Sequence, residues 1–389
     1  MTIVLTGGGS GGHITPLLVV AAELKRQNPD VKIIYVGQKG DHFADLPAKD
    51  PNISAVYKVR AGKFRRYNGE GLKQILDIST LFKNVRDIIF ISVGMVQSYF
   101  LIKRLKPDLI FSRGGYVSVP VCLGAKLNRV GYITHDSDPI PSLTNRIIGP
   151  GAKLNLVAQS KDIYPYKKDK TVTTGIPISR SFVRVTEKVR AGYRQKLNID
   201  QKANMIFVIG GGLGAKSINE AFYDILPNML SEFKDLRVVH IVGRINEQQT
   251  LEAYKEILSE EQARHIEVLS FTDKVYMYSG AADLVITRAG ATNLAEFETQ
   301  GVACIVIPST SLVGGHQLKN ADILKDNHAA VVIRDEELKE NPHSLAKQIG
   351  LLLRDPHKRQ ELGNELTEFA HPNAGEEIAT LIIKTAEGK

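Results

Sequence analysis

TIVLTGGGSGGHITPLLVVAAELK, Thr2 to Lys25, decides the fold. Thr2 to Thr6 has the unbroken apolar character of a buried strand, Gly7-Gly8-Gly9-Ser10-Gly11-Gly12-His13 is a glycine-rich turn, and Pro16 to Lys25 continues as an apolar helix. Glycines let a backbone approach a phosphate closely and aim several N–H groups at it. The unit returns as MIFVIGGGLGAKSINEAFYDILPNM, Met205 to Met229, again strand, glycine loop and helix. A repeat at that distance predicts an α/β chain of two similar doubly wound domains, the second beginning near Thr174. Further strands are expected at Lys32 to Val36, Asp108 to Phe111, Val130 to Thr134, Arg237 to Val242, Ile266 to Leu269, Leu284 to Ile286 and Ala303 to Ile307. The polar run Ser160 to Lys170, with YPYKKDK at its heart, reads as the linker.

The chain has 389 residues, more than one ordinary core needs, so two domains can hold a cleft between them. Cys122 and Cys304 are its only cysteines and both lie in apolar runs, which leaves no disulfide framework or thiolate metal cluster and fits a reducing cytoplasm. The first apolar stretch, Ile3 to Leu5, is cut short by glycines and does not read as a signal peptide. The net charge of +8 is concentrated in residues 1–160, which carry 21 Lys/Arg against 11 Asp/Glu. Such asymmetry points to an anionic partner, a membrane surface or a nucleic acid. From Lys58 to Lys106 there are 11 Lys/Arg and 3 Asp/Glu, with Lys63, Arg65, Arg66 and Lys73 beside Leu72, Ile75 and Leu76. That mixture resembles an interfacial membrane patch, although a solvated helix face has the same composition. The nearly uncharged run Ile88 to Ile102 is too short to span a bilayer and is expected to pack as a core helix. A nucleic acid would call for a reading helix, a stacking platform or a zinc site, and none is legible, so no nucleic-acid partner is expected.

The first glycine loop has His13 where a P-loop requires Lys, and the strand after it ends in Gly37-Gln38 rather than the acid of a dinucleotide fingerprint. Gly210 to Ser217 approximates a Walker loop, with Ala215 in place of the second invariant glycine, so a P-loop ATPase is one rival reading. Against it, the downstream strands end in Gly243-Arg244, Ser270-Phe271 and Thr287-Arg288, without the aspartate that holds magnesium. LVITRAGATNLAEFETQGVACIVIPSTSLVGGHQLKN, Leu284 to Asn320, has the pattern of a nucleotide-sugar grip. A helix starting near Ala291 offers N–H groups to a phosphate, Glu296 one turn further in can accept from two vicinal ribose hydroxyls, and the loop after Pro308 delivers His316, Gln317 and Asn320 to a sugar. The plain alternative is an αβα layer with a polar loop.

Arg113-Gly114-Gly115-Tyr116-Val117-Ser118 is a third possible anion loop at a strand end. Asp136 and Asp138, after the strand Val130 to Thr134, have the spacing with which many sugar transferases hold a divalent ion. Two acids alone would hold magnesium only with help from substrate phosphates, and Asp138 could instead cap the next helix, so no metal site is expected here.

Together, GGGSGGHITP (Gly7–Pro16), GGYVSVP (Gly114–Pro120), HDSDPIPSLTNR (His135–Arg146), GGGLGAKSIN (Gly210–Asn219), TRAGATNLAEF (Thr287–Phe297) and HQLKNA (His316–Ala321) resemble the MurG family of peptidoglycan glycosyltransferases. The resemblance departs at His135-Asp136-Ser137-Asp138, where many members read His-Glu-Gln-Asn. It departs again at Gly175 to Arg180, where the arginine falls one residue late, and after Pro308, where the usual aromatic and charged residues are missing.

The resemblance implies a GT-B arrangement, two Rossmann-like domains facing across a cleft. Residues 1–165 with 368–389 would form the acceptor and membrane-facing domain, closed by a returning helix near Glu376 to Thr385, and residues 174–367 the UDP-sugar domain. It implies an inverting, metal-independent transfer of GlcNAc from UDP-GlcNAc to undecaprenyl-pyrophosphoryl-MurNAc-pentapeptide, without a cofactor, by a peripheral enzyme on the cytoplasmic face of the cell membrane. The implied donor residues are Gly211, Gly212, Leu213, Gly214, Ala215, Arg288, Ala291, Thr292, Asn293, Glu296, His316, Gln317 and Asn320. The acceptor would meet Gly8, Gly9, Ser10, Gly11, Gly12, Gly114, Gly115, Tyr116, Asn145 and Arg180. His13 is the expected base, because a neutral imidazole suits proton abstraction near pH 7, with Asp136 and Asp138 as rivals. A related glycolipid transferase would share the donor half, and a nonenzymatic nucleotide-sugar-binding subunit would have no use for His13.

Overall fold

Ile3, Val4 and Leu5 are fully buried, as a strand covered on both faces by helices requires. In the computed structural model, which describes residues 1–8, 11–41, 45–62, 78–211, 214–310 and 315–388, that strand is an inner strand of a parallel sheet. In chain order the strands are β1 (Thr2–Thr6), β2 (Lys32–Gln38), β3 (Ala55–Val59), β4 (Leu109–Ser112), β5 (Tyr132–Asp136), β6 (Leu154–Val157) and β7 (Thr171–Thr173). Then come β8 (Met205–Ile209), β9 (Arg237–Ile241), β10 (Ile266–Leu269), β11 (Leu284–Thr287), β12 (Cys304–Val306) and β13 (Val331–Val332).

Among the described residues the first sheet runs β3-β2-β1-β4-β5-β6-β7 and the second β10-β9-β8-β11-β12-β13. Each winds outward in one direction, returns to the middle and winds out in the other. The strand order therefore reverses between β1 and β4 and between β8 and β11, the positions where open α/β sheets leave a crevice at their carboxyl ends. Two glycine-started units in the sequence thus become two doubly wound sheets.

Contacts divide the chain into one unit of Met1–Ser179 with His371–Lys389 and another of Arg180–Ala370. In the first, Ile3 and Leu5 face a core shared with Ile14, Leu17 and Val20, whereas Val4 faces the opposite layer with Val121 and Cys122. The C-terminal helix Ala374–Ala386 adds Ile378, Ala379 and Ile382 to the core on the Leu17 side. Its Glu376 pairs with Arg26 at 3.0 Å. In the second unit Ile206 and Val208 face one core, and Met205, Phe207 and Ile209 the other.

Two expectations need correction. The run Ser160 to Lys170 is not a linker: Tyr164 and Tyr166 are buried and stacked, and the chain goes on into β7, which pairs with β6 inside the first unit. The two tyrosines supply the apolar area that a polar-looking stretch concealed. The run Ile88 to Ile102 is not a core helix either. It belongs to a helix of 28 residues, Ile78–Leu105, whose stretch Arg86–Leu105 is long and apolar enough by composition to cross a membrane. From Arg86 to Leu105, what this helix turns inward is Asp87, Gly94, Ser98 and Ile102. A Cβ on Gly94 would collide with the Arg60 carbonyl, and one on Gly124 would lie 2.9 Å from Ser98 Cβ, so close backbone approach selects the small residues for the packed face. The bulky ones are left outside, Ile89 56%, Val96 58% and Phe100 62% exposed.

Candidate functional site

In the first unit the loops after β1, β4 and β5 converge. Gly114 and Gly115 both have φ +79°, a conformation that favours glycine, and Gly115 lies against the Gly8 backbone so closely that a Cβ would strike the Gly8 carbonyl. The Ser118 hydroxyl donates to the Gly114 carbonyl at 2.7 Å and the Thr144 hydroxyl to the Gly115 carbonyl at 3.2 Å. These bonds fix the second glycine turn to the helices Ser118–Leu127 and Leu143–Ile148. The Gly7 carbonyl accepts from the Tyr35 hydroxyl. Gly9 and Ser10 lie outside the described residues, and Gly11 and Gly12 open the helix Gly11–Gln27.

His13 sits in the first turn of that helix, with Nδ1 3.1 Å from the Arg113 carbonyl. A carbonyl can only accept, so Nδ1 carries the proton and Nε2 the lone pair. Burial lowers the His13 pKa, the Arg113 cation lowers it further, and Asp138 and Asp41 oppose this. Arg113 is 2% exposed; its Nη1 reaches His135 Nδ1 at 2.9 Å and its Nη2 donates to the Gly12 carbonyl at 3.3 Å. His135 donates through Nε2 to the Gly175 carbonyl at 2.8 Å. Burial, with Arg113 next, holds its pKa well below the ordinary value, so it is a neutral strut.

The two rival bases differ. Asp136 is buried, its Oδ2 accepting from the Tyr166 hydroxyl at 2.6 Å and its Oδ1 from the Ser142 N–H at 3.2 Å, and burial raises its pKa. Both oxygens are thus engaged in holding the turn. Asp138 does not cap the next helix: Ser142 does, accepting from the Asn145 N–H at 3.1 Å. Asn145 is itself buried and donates to the His135 carbonyl at 2.9 Å. Tyr116 is partly buried in the same loop, while Arg180 is exposed and opens the second unit.

In the second unit the loops after β8 and β11 flank the switch point. Gly211 has φ +90° with open space where a Cβ would be, and Gly214 has φ +77° and presses on the Val242 carbonyl. Gly212 and Leu213 lie outside the described residues. Ala215 and Gly290 precede the helices Lys216–Glu232 and Ala291–Gln300, and neither end has a side-chain cap, so the first N–H groups point into the switch. Ala291, Thr292 and Asn293 form the first turn of the second helix and are partly buried. Glu296 follows one turn in, and burial pushes its carboxyl up to about 8.

Arg288, one of the expected donor contacts, is engaged within the second unit. Its guanidinium donates to Asp335 Oδ1 at 2.6 Å, the Ser217 hydroxyl at 2.6 Å and the Ile307 carbonyl at 3.1 Å, all buried. Ser217 donates to Asp335 as well, at 2.6 Å, and Lys339 pairs with the other carboxylate oxygen at 2.8 Å. The group ties the helix after the glycine loop to the ends of β11 and β12. Asn320 likewise donates to the Ala289 carbonyl at 3.0 Å, and Gln317 Oε1 accepts from the Ser309 N–H at 2.8 Å. His316 is the first residue of the helix His316–Asp326.

Sequence reasoning gave no site role to Ser217, Asn219 and Asp335, and named Arg113 only as the start of a possible anion loop. Asn219 donates to the Val242 carbonyl at 3.2 Å and accepts from His240 at 3.1 Å, which locks the loop after β9 beside the glycine loop. Arg113 had a signal, an arginine directly before two glycines at a strand end. Asp335 had none, since it acts from a helix more than a hundred residues away in sequence. No group of three or more His, Cys, Asp or Glu side chains is gathered as a metal site among the described residues.

Residues 3–154 match the glycosyltransferase family 28 N-terminal domain, and residues 205–378 its C-terminal domain. A relative from Natranaerobius thermophilus is 30% identical over 98% of this chain and 99% of its own; one from Bacillus thuringiensis strain Al Hakam is 33% identical over 99% of each. Both are named as UDP-N-acetylglucosamine–N-acetylmuramyl-(pentapeptide) pyrophosphoryl-undecaprenol N-acetylglucosamine transferases. Among solved structures, MurG of Acinetobacter baumannii superposes with a TM-score of 0.70 at 26% identity, covering 98% of this chain and 99% of its own. A UDP-GlcNAc 2-epimerase from Neisseria meningitidis, at 12% identity and a TM-score of 0.64, has a similar fold.

Proposed function

The chain belongs to the MurG enzymes of glycosyltransferase family 28, and from that premise we propose that it transfers GlcNAc from UDP-GlcNAc to the C4 hydroxyl of MurNAc in undecaprenyl-pyrophosphoryl-MurNAc-pentapeptide. The observation that carries the assignment of roles is the unequal furnishing of the two switch points. The second offers two uncapped helix starts to a diphosphate, which can stabilise the charge that develops as UDP leaves. The first offers one histidine with a defined proton and a free lone pair, next to paired glycine turns. In this reading Glu296 holds the ribose, Asn293 lies near the phosphates, and His316 meets the sugar. His13 takes the proton of the attacking hydroxyl, which strikes the anomeric carbon from the face opposite UDP and inverts it.

The decisive test combines radiolabelled UDP-GlcNAc, a short-chain lipid-linked MurNAc-pentapeptide and EDTA. Labelled disaccharide-lipid is expected. Transfer that stops with EDTA would overturn the metal-independent part, and transfer to a different lipid-linked sugar alone would make the protein a related glycolipid transferase.

The lipid acceptor calls for a place at the membrane, and peripheral attachment to the cytoplasmic leaflet through the first domain fits the outward stripe of Ile88, Ile89, Val96 and Phe100, with Lys103 and Arg104 at its end. The cations Lys63, Arg65, Arg66 and Lys73 lie outside the described residues, but each near an anionic surface would add about 1 kcal/mol. Sedimentation with anionic liposomes should fall with salt and fall again in Val96→Glu/Phe100→Glu. Equal sedimentation of that variant and the parent would remove the stripe from the interface.

A further inference from the structure

Arg113 is an unusual neighbour for a base. It is buried, it makes no ion pair within 4 Å among the described residues, and its Nε has no hydrogen-bond partner. A buried guanidinium held by neutral groups is costly unless the site uses it. Two of its contacts are to His13 and its turn, and a third is to a second histidine. The backbone carbonyl of Arg113 accepts from His13 Nδ1, one arm of the guanidinium holds the carbonyl of Gly12 next to His13, and the other rests on His135, itself fixed to Gly175.

We propose that Arg113 is the positioning residue of this site: its carbonyl fixes the proton of His13 on Nδ1, and its guanidinium anchors the His13 turn to His135, leaving Nε2 as the nitrogen that receives a proton. The catalytic meaning of this rests on the reading of His13 as the base. The same cation disfavours a second proton on the imidazole, as do burial and the helix start, whereas Asp138 after β5 and Asp41 after β2 favour one. The other elements packed on this helix add no comparable effect. Asp45 and Lys49 belong to the short helix Asp45–Lys49, and Glu376 of the C-terminal helix is paired with Arg26 at the far end. Arg113 and Asp138 therefore pull the imidazole in opposite directions.

The test uses full-length protein labelled with 15N-histidine, the His13 ring signals being assigned by their loss in His13→Gln. The parent is expected to show the Nδ1–H tautomer at pH 8. In Arg113→Gln the titration midpoint of His13 should rise by about one pH unit, and in Asp138→Asn it should fall. Arg113→Lys, which keeps the charge, should stay close to the parent. The acid limb of kcat should move with each midpoint. An Nε2–H tautomer in the parent overturns the proposal without any variant, and so does an unmoved midpoint in Arg113→Gln. If the ring signals move as expected while the acid limb stays, the hold of Arg113 on His13 stands and the reading of His13 as the base fails.

Discussion

The two glycine loops occupy equivalent places in their sheets and are furnished in opposite ways. Around the first stand side chains that titrate or carry charge toward the site: His13, Arg113, Asp138 and Asp41. Around the second, the strongest charges are turned on each other, Arg288 and Lys339 both against Asp335, and what the two helix starts offer a phosphate is backbone. One half is arranged to move a proton, the other to hold a diphosphate with dipoles fixed in advance. Fixed dipoles need a stiff frame, and the Arg288 group supplies it by joining two strand ends to the helix that follows the glycine loop.

The largest effect should come from breaking that frame. Arg288→Ala leaves Asp335 and Ser217 buried beside an empty volume, and unfolding in denaturant should show a loss of about 3 to 5 kcal/mol, the range for removing one partner of a buried pair. Lys339 still meets Asp335 and places the value near the lower end. If Arg288→Ala instead keeps its stability and loses UDP affinity, Arg288 touches the donor and the contrast between the two halves weakens.

His13→Ala addresses the other half. Turnover should fall roughly a hundredfold or more with UDP affinity nearly unchanged, because loss of a base acts on the transition state and not on donor binding. A loss below about tenfold would hand proton transfer to Asp138, since both oxygens of Asp136 are engaged by Tyr166 and Ser142. Normal turnover with weakened acceptor binding would make His13 a phosphate ligand.

The sequence showed the halves better than the frame. β1, β8 and β10 were legible to the residue because each is a short apolar run closed by a clear stop. β3, β6 and β7 were not: LNLV and TVT are too short for a period, and AVYKV is only partly buried. The glycine turns were legible because their conformations need glycine, as Gly114, Gly115 and Gly214 show. The orientation of the helix Ile78–Leu105 was not, since hydrophobicity predicts which face goes inward only when side chains make the contact. Here Gly94 and Ser98 let the backbone make it. The role of Arg288 was hidden for a related reason, its partner Asp335 being set by tertiary packing and not by spacing.

The smallest effect is the most specific to the donor half. Glu296 has a carboxyl pushed up to about 8 by burial, so the empty site holds it mostly protonated at pH 7. Ribose hydroxyls donate to the carboxylate and favour the ionised form, which means that UDP binding should release a proton. Affinity should therefore rise several-fold between pH 7 and pH 9 and level off above the free-site value. The terminal phosphate of UDP, with a pKa of about 6, is already ionised over this window and does not imitate the trend. Calorimetry in buffers of different ionisation enthalpy would count the proton directly. Glu296→Gln should flatten the profile, and Glu296→Ala should weaken binding by about 1 to 3 kcal/mol at pH 9. An affinity that falls with pH would show Glu296 acting as a neutral hydrogen-bond donor, and one that stays flat in the parent would remove it from the ribose site and leave the second switch point with backbone contacts alone.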